Sequence, residues 1–158
     1  MSGPRETLFA AITAQLEEIK IVNDYALDVD KVYRLDVVPD EMPSQVRRAL
    51  CVLESLTPER PQYLDSGASG GYLCDIKVTI AGIVRHQTAD LKSSDRHTEL
   101  NAFIDATRKA LMEDRTFGGA CKNSEIVSGP VGMVDMDKGE ALFNIDLRCF
   151  YAFGFGDL

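Results

Sequence analysis

YLCDIKVTIAGIVR, residues Tyr72 to Arg85, is the stretch on which the fold turns. Tyr72, Cys74, Ile76, Val78, Ile80 and Val84 fall on one side of an extended chain, and Asp75, Lys77 and Thr79 fall on the other. That period of two predicts a long strand with an apolar face. Downstream, a polar stretch from Gln87 to Asp95 leads into a helix expected over Arg96 to Asp114. Leu100, Phe103, Ile104, Ala110 and Leu111 form its buried stripe, with Asp95 as cap. Gly118 and Gly119 follow as a structural turn, because a left-handed backbone carries no steric cost there. Two closing strands are expected at Lys122 to Met136 and Glu140 to Phe153, joined at Asp137-Lys138-Gly139. On the last, Phe143, Ile145, Leu147, Cys149, Tyr151 and Phe153 share one face, opposite Asn144, Asp146 and Arg148. Residues 154–158 read as a loose end.

Upstream, Thr57 to Gly71 is rich in Pro, Ser and Gly and reads as a long flexible loop. Arg48 to Leu53 suits a short strand, with a helix beginning near Ser44 as the alternative. Pro39 and Pro43 bracket a turn, and Lys31 to Val38 is an extended segment of weaker alternation. Residues 5–20 carry Leu8, Ile12, Leu16 and Ile19 at helical spacing, with Pro4 suited to the first turn. The order of helix, strands, helix and hairpin predicts an α+β fold: one domain over residues 1–158, an antiparallel-rich mixed β-sheet with two main helices on one face.

With 158 residues and 45% hydrophobic side chains, the chain can build one proper core. Tryptophan is absent and aromatics make up 8%, so aliphatic side chains must fill most of it. The net charge of -8 repels phosphates and argues against dedicated nucleic-acid binding. Cys51, Cys74, Cys121 and Cys149 form no C-x-x-C pair, and three of them sit in apolar runs. The opening Met1-Ser2-Gly3-Pro4 leads into no apolar signal region, and the apolar stretches are too short to span a bilayer. The expectation is a soluble protein made in a reducing cytoplasm, without a membrane partner.

Gly67-Ala68-Ser69-Gly70-Gly71 matches the G-x-S-x-G pattern of a hydrolase nucleophile. That chemistry requires a strand before the serine, a helix after it and a histidine in reach. Here a proline-containing loop precedes and a strand follows, so a glycine-serine loop is the plainer reading; a small serine hydrolase using Ser69 is the remote alternative. His86 and His97 bracket Asp90 and Asp95, but a spacing of eleven fits no common ligand motif. Asp24, Asp28 and Asp30 lack the spacing and central glycine of a calcium loop and read as a solvated face. No G-K-[ST] follows Gly118-Gly119, which ends a helix instead of starting one. No catalytic, cofactor or metal site is expected.

Asp105 to Gly119 reads DATRKALMEDRTFGG and runs into a hairpin with an aromatic-rich last strand. This resembles the C-terminal half of the tail terminator (tail completion) proteins of long-tailed bacteriophages. The opening helix, Val32 and Arg34 in an extended segment, the proline turn and the second strand agree in outline. The resemblance implies a structural virion protein, not an enzyme. It implies a homo-oligomer, usually a hexameric ring, that caps the tail tube, stops its polymerisation and provides the head–tail joining surface. The implied partners are the tail-tube protein and the head–tail connector or neck proteins. The implied location is the head-proximal end of the tail, with assembly in the host cytoplasm. Another head–tail connector (stopper or adaptor) or a tail-tube relative is the alternative.

A domain of this size has a radius near 19 Å, so six touching in a ring leave a hole roughly 40 Å wide. A DNA duplex roughly 20 Å across would pass through without specific binding, and an acidic lining would keep it from sticking. The loop Ser66, Gly67, Ala68, Ser69, Gly70 and Gly71 is expected to serve assembly, since such a segment contributes little to a core.

Overall fold

Leu8, Phe9, Ile12 and Leu16 are wholly buried along one stripe of a helix, α1, that runs from Pro4 to Glu17 in the computed structural model. Residues 3–35, 37–54, 62–64, 71–85, 93–135 and 139–154 are described. Pro4 occupies the first turn of α1. The helix ends three residues before the expected 20, because the acidic stretch after it reverses the chain. Asp24 takes a left-handed φ of 64°, and Asp28 Oδ1 accepts the Ile21 amide at 2.7 Å. Asp30 Oδ2 likewise accepts the amides of Arg47 and Arg48, at 2.8 and 2.9 Å. Asp28 and Asp30, expected on a solvated face, therefore hold turns and strand ends together.

The strands are β1 (Lys31–Tyr33), β2 (Arg48–Glu54), β3 (Gln62–Leu64), β4 (Gly71–Arg85), β5 (Asn123–Asp135) and β6 (Glu140–Gly154). They form one sheet in the order β1-β2-β4-β6-β5, with β3 paired to the start of β4. Among the described residues only β1 and β2 run parallel; the other pairings are antiparallel. The second helix, α2, spans Ser93–Glu113. Both helices lie on one face of the sheet, over a core that includes Phe9, Phe103, Ile80, Phe143 and Leu147. Burying each such side chain contributes about 1.5–3 kcal/mol. This is the α+β arrangement the sequence implies.

Four further boundaries differ. The strand expected over Lys31 to Val38 stops at Tyr33, where Arg34 turns to Glu6 (2.5 Å) and Glu54 (3.1 Å). Parallel neighbours need a crossover of a dozen or more residues, and residues 34–47 supply it. The segment Thr57 to Gly71 is not all loop: β3 pairs with residues 71–73, beyond the reach of β2 along β4. Helix α2 begins at Ser93, so Asp95 is inside its first turn, favoured there by the helix dipole, and is not the cap. Gly154 pairs with Gly71 and belongs to β6; residues 155–158 lie outside the described residues.

Candidate functional site

Alternation along the strands sends a second set of side chains to the face away from the helices. Toward the β5 side, this face is charged. Asp146 accepts from Ser128 Oγ at 2.6 Å and Thr79 Oγ1 at 2.8 Å, and pairs with Lys77 at 2.9 Å. Burial works to raise its pKa, but hydrogen bonds from Ser128, Lys77 and Thr79 outweigh it and leave the carboxyl below its usual range. Two residues on, Arg148 grips Asp75 through Nε and Nη2, reaches Glu125 at 3.6 Å and stacks over Phe150. These are cross-strand rungs of the kind that fix sheet register.

Toward the other end the same face is apolar. Ala49, Cys51 and Ile83 are buried under Val37, Met42 and Val46 from the 34–47 crossover, with Leu53, Ala81 and Leu142 packed alongside. The crossover is held by Arg85. Its Nε donates to Val46 O (3.1 Å), Nη1 to Pro39 O (3.1 Å) and Met42 O (3.2 Å), and Nη2 to Val46 O (2.5 Å) and Pro43 O. Four carbonyl oxygens thus converge on one guanidinium, whose planar fork suits them. Nothing in the sequence pattern marks Arg85, because its partners come from a segment that meets it only in the fold.

The cover is incomplete. Between the crossover and β5 lies a groove of about 520 Å³, floored by Cys51, Ala81, Ile83 and Leu142 and rimmed by Val38 and Val131. Val38 is 51% exposed and Val131 73%. β5 forms the groove's outer wall as an edge strand, broken by register shifts at Ser128 and by Pro130. Bulges and proline are devices that keep an edge from pairing with stray strands, so a partner here would meet side chains.

The turn residues Gly118 and Gly119 have φ of 67° and 87°, and a Cβ at either would meet nothing within 4 Å. Phe117 is also left-handed, at 49°. The turn is organised by Asp114, whose Oδ1 accepts from the Thr116 amide (2.9 Å) and hydroxyl (2.7 Å), and whose Oδ2 accepts the Gly118 amide (2.7 Å). Those bonds, the one from Gly118 foremost, hold the Asp114 carboxyl below its usual pKa. Residues 66–70 of the loop expected to serve assembly, Ser69 included, lie outside the described residues; Gly71 is the first residue of β4, paired with Leu64 and Gly154. His86 and Asp90 also lie outside them, while His97 and Asp95 are exposed on the first turns of α2. All four cysteines are buried, and none is in a disulfide. Among the described residues no group of three or more His, Cys, Asp or Glu could hold a metal ion, and no helix is long and apolar enough to cross a membrane.

No family model matches the chain, and no curated protein matches it. Among solved structures it is similar to a chain of the virion of a native gene transfer agent particle, with 13% identity and a TM-score of 0.38, covering 92% of this chain and 95% of that one. A likeness at that score is too slight to bear on function.

Proposed function

We propose that this chain is a non-catalytic structural subunit of a bacteriophage tail, a tail terminator that assembles as a ring on the end of the tail tube. The observation that carries the reading is the half-covered face of the sheet. Helices bury a continuous apolar core on one face, whereas the other keeps an apolar groove open beside a set of ion pairs. An apolar centre with a polar border is the anatomy of a protein interface. The resemblance over Asp105–Gly119 supports the particular role. There α2 runs into the turn held by Asp114 and delivers the chain to the β5–β6 hairpin that walls the groove.

The test is a double substitution, Val38→Glu with Val131→Glu. Both side chains are largely exposed, so the fold should keep its melting temperature. Mass photometry and electron microscopy should show fewer rings and fewer capped tubes. A variant that caps tubes as well as the parent removes the groove from the interface. Parent protein that ignores tail tubes but binds a portal–adaptor complex identifies a head–tail connector instead.

A further inference from the structure

Ile21 and Val22 form the most exposed apolar turn among the described residues, 60% and 88% accessible. The turn is preorganised. Asp24 N donates to Ile21 O, Ile21 N donates to Asp28 Oδ1, and the neighbouring Tyr25 is pinned by Glu113 (2.6 Å) and by Lys109 stacked on its ring. Three carboxylates border it, Glu17, Glu18 and Asp24, all exposed, with Lys109 the cation on the Tyr25 side.

On the other flank of α2's C-terminal half lies a groove of about 500 Å³ between the helix and the bulged part of β5. It has the opposite character. Arg108 and Arg115 are exposed on it, beside the part-exposed apolar side chains of Met112 and Val127. Arg108 has no ion-pair partner among the described residues. Arg115 uses Nε on Ser124 O, leaving the rest of its guanidinium. The groove's one carboxylate, Glu125, faces Arg148. Two arginines held together on a chain of net charge -8 call for an acidic partner.

We infer that the Ile21-Val22 turn of one copy docks in the Arg108/Met112/Arg115/Val127 groove of the next. Apolar side chains meet apolar side chains, and Glu18 and Asp24 meet the two arginines. The two patches are different surfaces of one chain: residues 109 and 113 of α2 face the turn, while 108 and 112 face the groove, roughly 100° around the helix axis, and Arg115 joins them from the turn that follows the helix. A contact between unlike patches is head-to-tail, and it closes into a ring when its rotation permits. The inference rests on the oligomeric reading above and adds a second subunit contact, distinct from the Val38–Val131 groove.

The experiment uses the full chain, alone and with tail tubes, at low and high salt. Val22→Asp and Arg108→Glu should each weaken association about tenfold or more. Mixing Glu18→Arg copies with Arg108→Glu copies should restore the contact between unlike copies, in both directions, and high salt should weaken the parent's association. Val22→Cys mixed with Val127→Cys should form intermolecular disulfides that neither variant forms alone. Rings that survive Val22→Asp and Arg108→Glu unchanged overturn this contact and leave the oligomeric reading standing. Cross-linking of Val22→Cys with itself overturns the head-to-tail geometry. A parent that stays monomeric under every condition, tubes included, overturns the oligomeric reading and this contact with it.

Discussion

At the scale of single residues, Arg85 and Asp114 do similar work: each gathers backbone groups of a segment that lies outside the α-helices and the sheet. Arg85 binds carbonyls of Pro39, Met42, Pro43 and Val46. Arg85→Ala should cost about 1.5–3 kcal/mol in a denaturant melt, since bonds to a charged group are lost together. Hydrogen exchange should rise selectively over residues 37–47, and Arg85→Lys should recover only part, having no planar fork. Uniform exchange across the chain would contradict the clamp. Asp114 gathers amides instead. Its folded pKa lies below the ordinary 3.8, so its contribution is complete above that value and is lost as pH falls through the folded value. Asp114→Asn should therefore lower the melting temperature at neutral pH and flatten its decline in acid relative to the parent. At Gly118 or Gly119, valine would force a β-branched residue into the left-handed region, costing at least about 1–2 kcal/mol. With open space around both positions, the cost is backbone strain alone. Full stability in both valine variants, with loss of a phosphate-binding or enzymatic activity, would sink the reading of this turn as structural.

At the scale of elements, the pairing of β4 with β6 organises everything else. Fifteen rungs run from Gly71↔Gly154 to Arg85↔Glu140, and at Gly82↔Phe143 the ring lies over the glycine. A Cβ on Gly82 would sit 2.0 Å from Phe143 Cε1, so Gly82→Ala must displace a ring that also packs edge-on against Phe103 at 5.2 Å. That variant should lose about 1–3 kcal/mol, the usual cost of overpacking a core. Phe143→Leu in the same chain should offset part of it, since a smaller side chain leaves room. A double-mutant cycle with zero coupling would show that the ring is not the obstacle. The crossover over residues 34–47 is the other organising element. Because β1 lies parallel to β2, the chain must pass over a face, and it takes the one the helices leave bare. Covering Ala49, Cys51 and Ile83 leaves the strip between Val38 and Val131 open.

At the scale of the whole molecule, two different sheet faces and an acidic surface set what the chain can meet. The charge of -8 predicts no gel shift with duplex DNA at physiological salt, as a conduit requires. A shift that strengthens at low salt would count against the DNA passage expected of a ring. The groove predicts that Val38→Glu/Val131→Glu separates folding from assembly. Both residues sit at a rim, and neither is part of the helix-side core.

Both helices, β2, β4 and the closing hairpin were legible in the sequence, because periods of 3.6 and two are local and each stripe reports its own buried side. Leu100, Phe103 and Leu111, or Ile145 and Leu147, need no knowledge of their neighbours to be recognised. Gly118-Gly119 was legible for the same reason, since positive φ is a property of one residue. The parallel pairing of β1, the docking of β3 on the overhang of β4, the clamp of Arg85 and the two grooves were decided only by tertiary structure. Each depends on segments distant along the chain. Alternation marks a strand but not its neighbour, and an arginine's charge does not say which carbonyls will reach it.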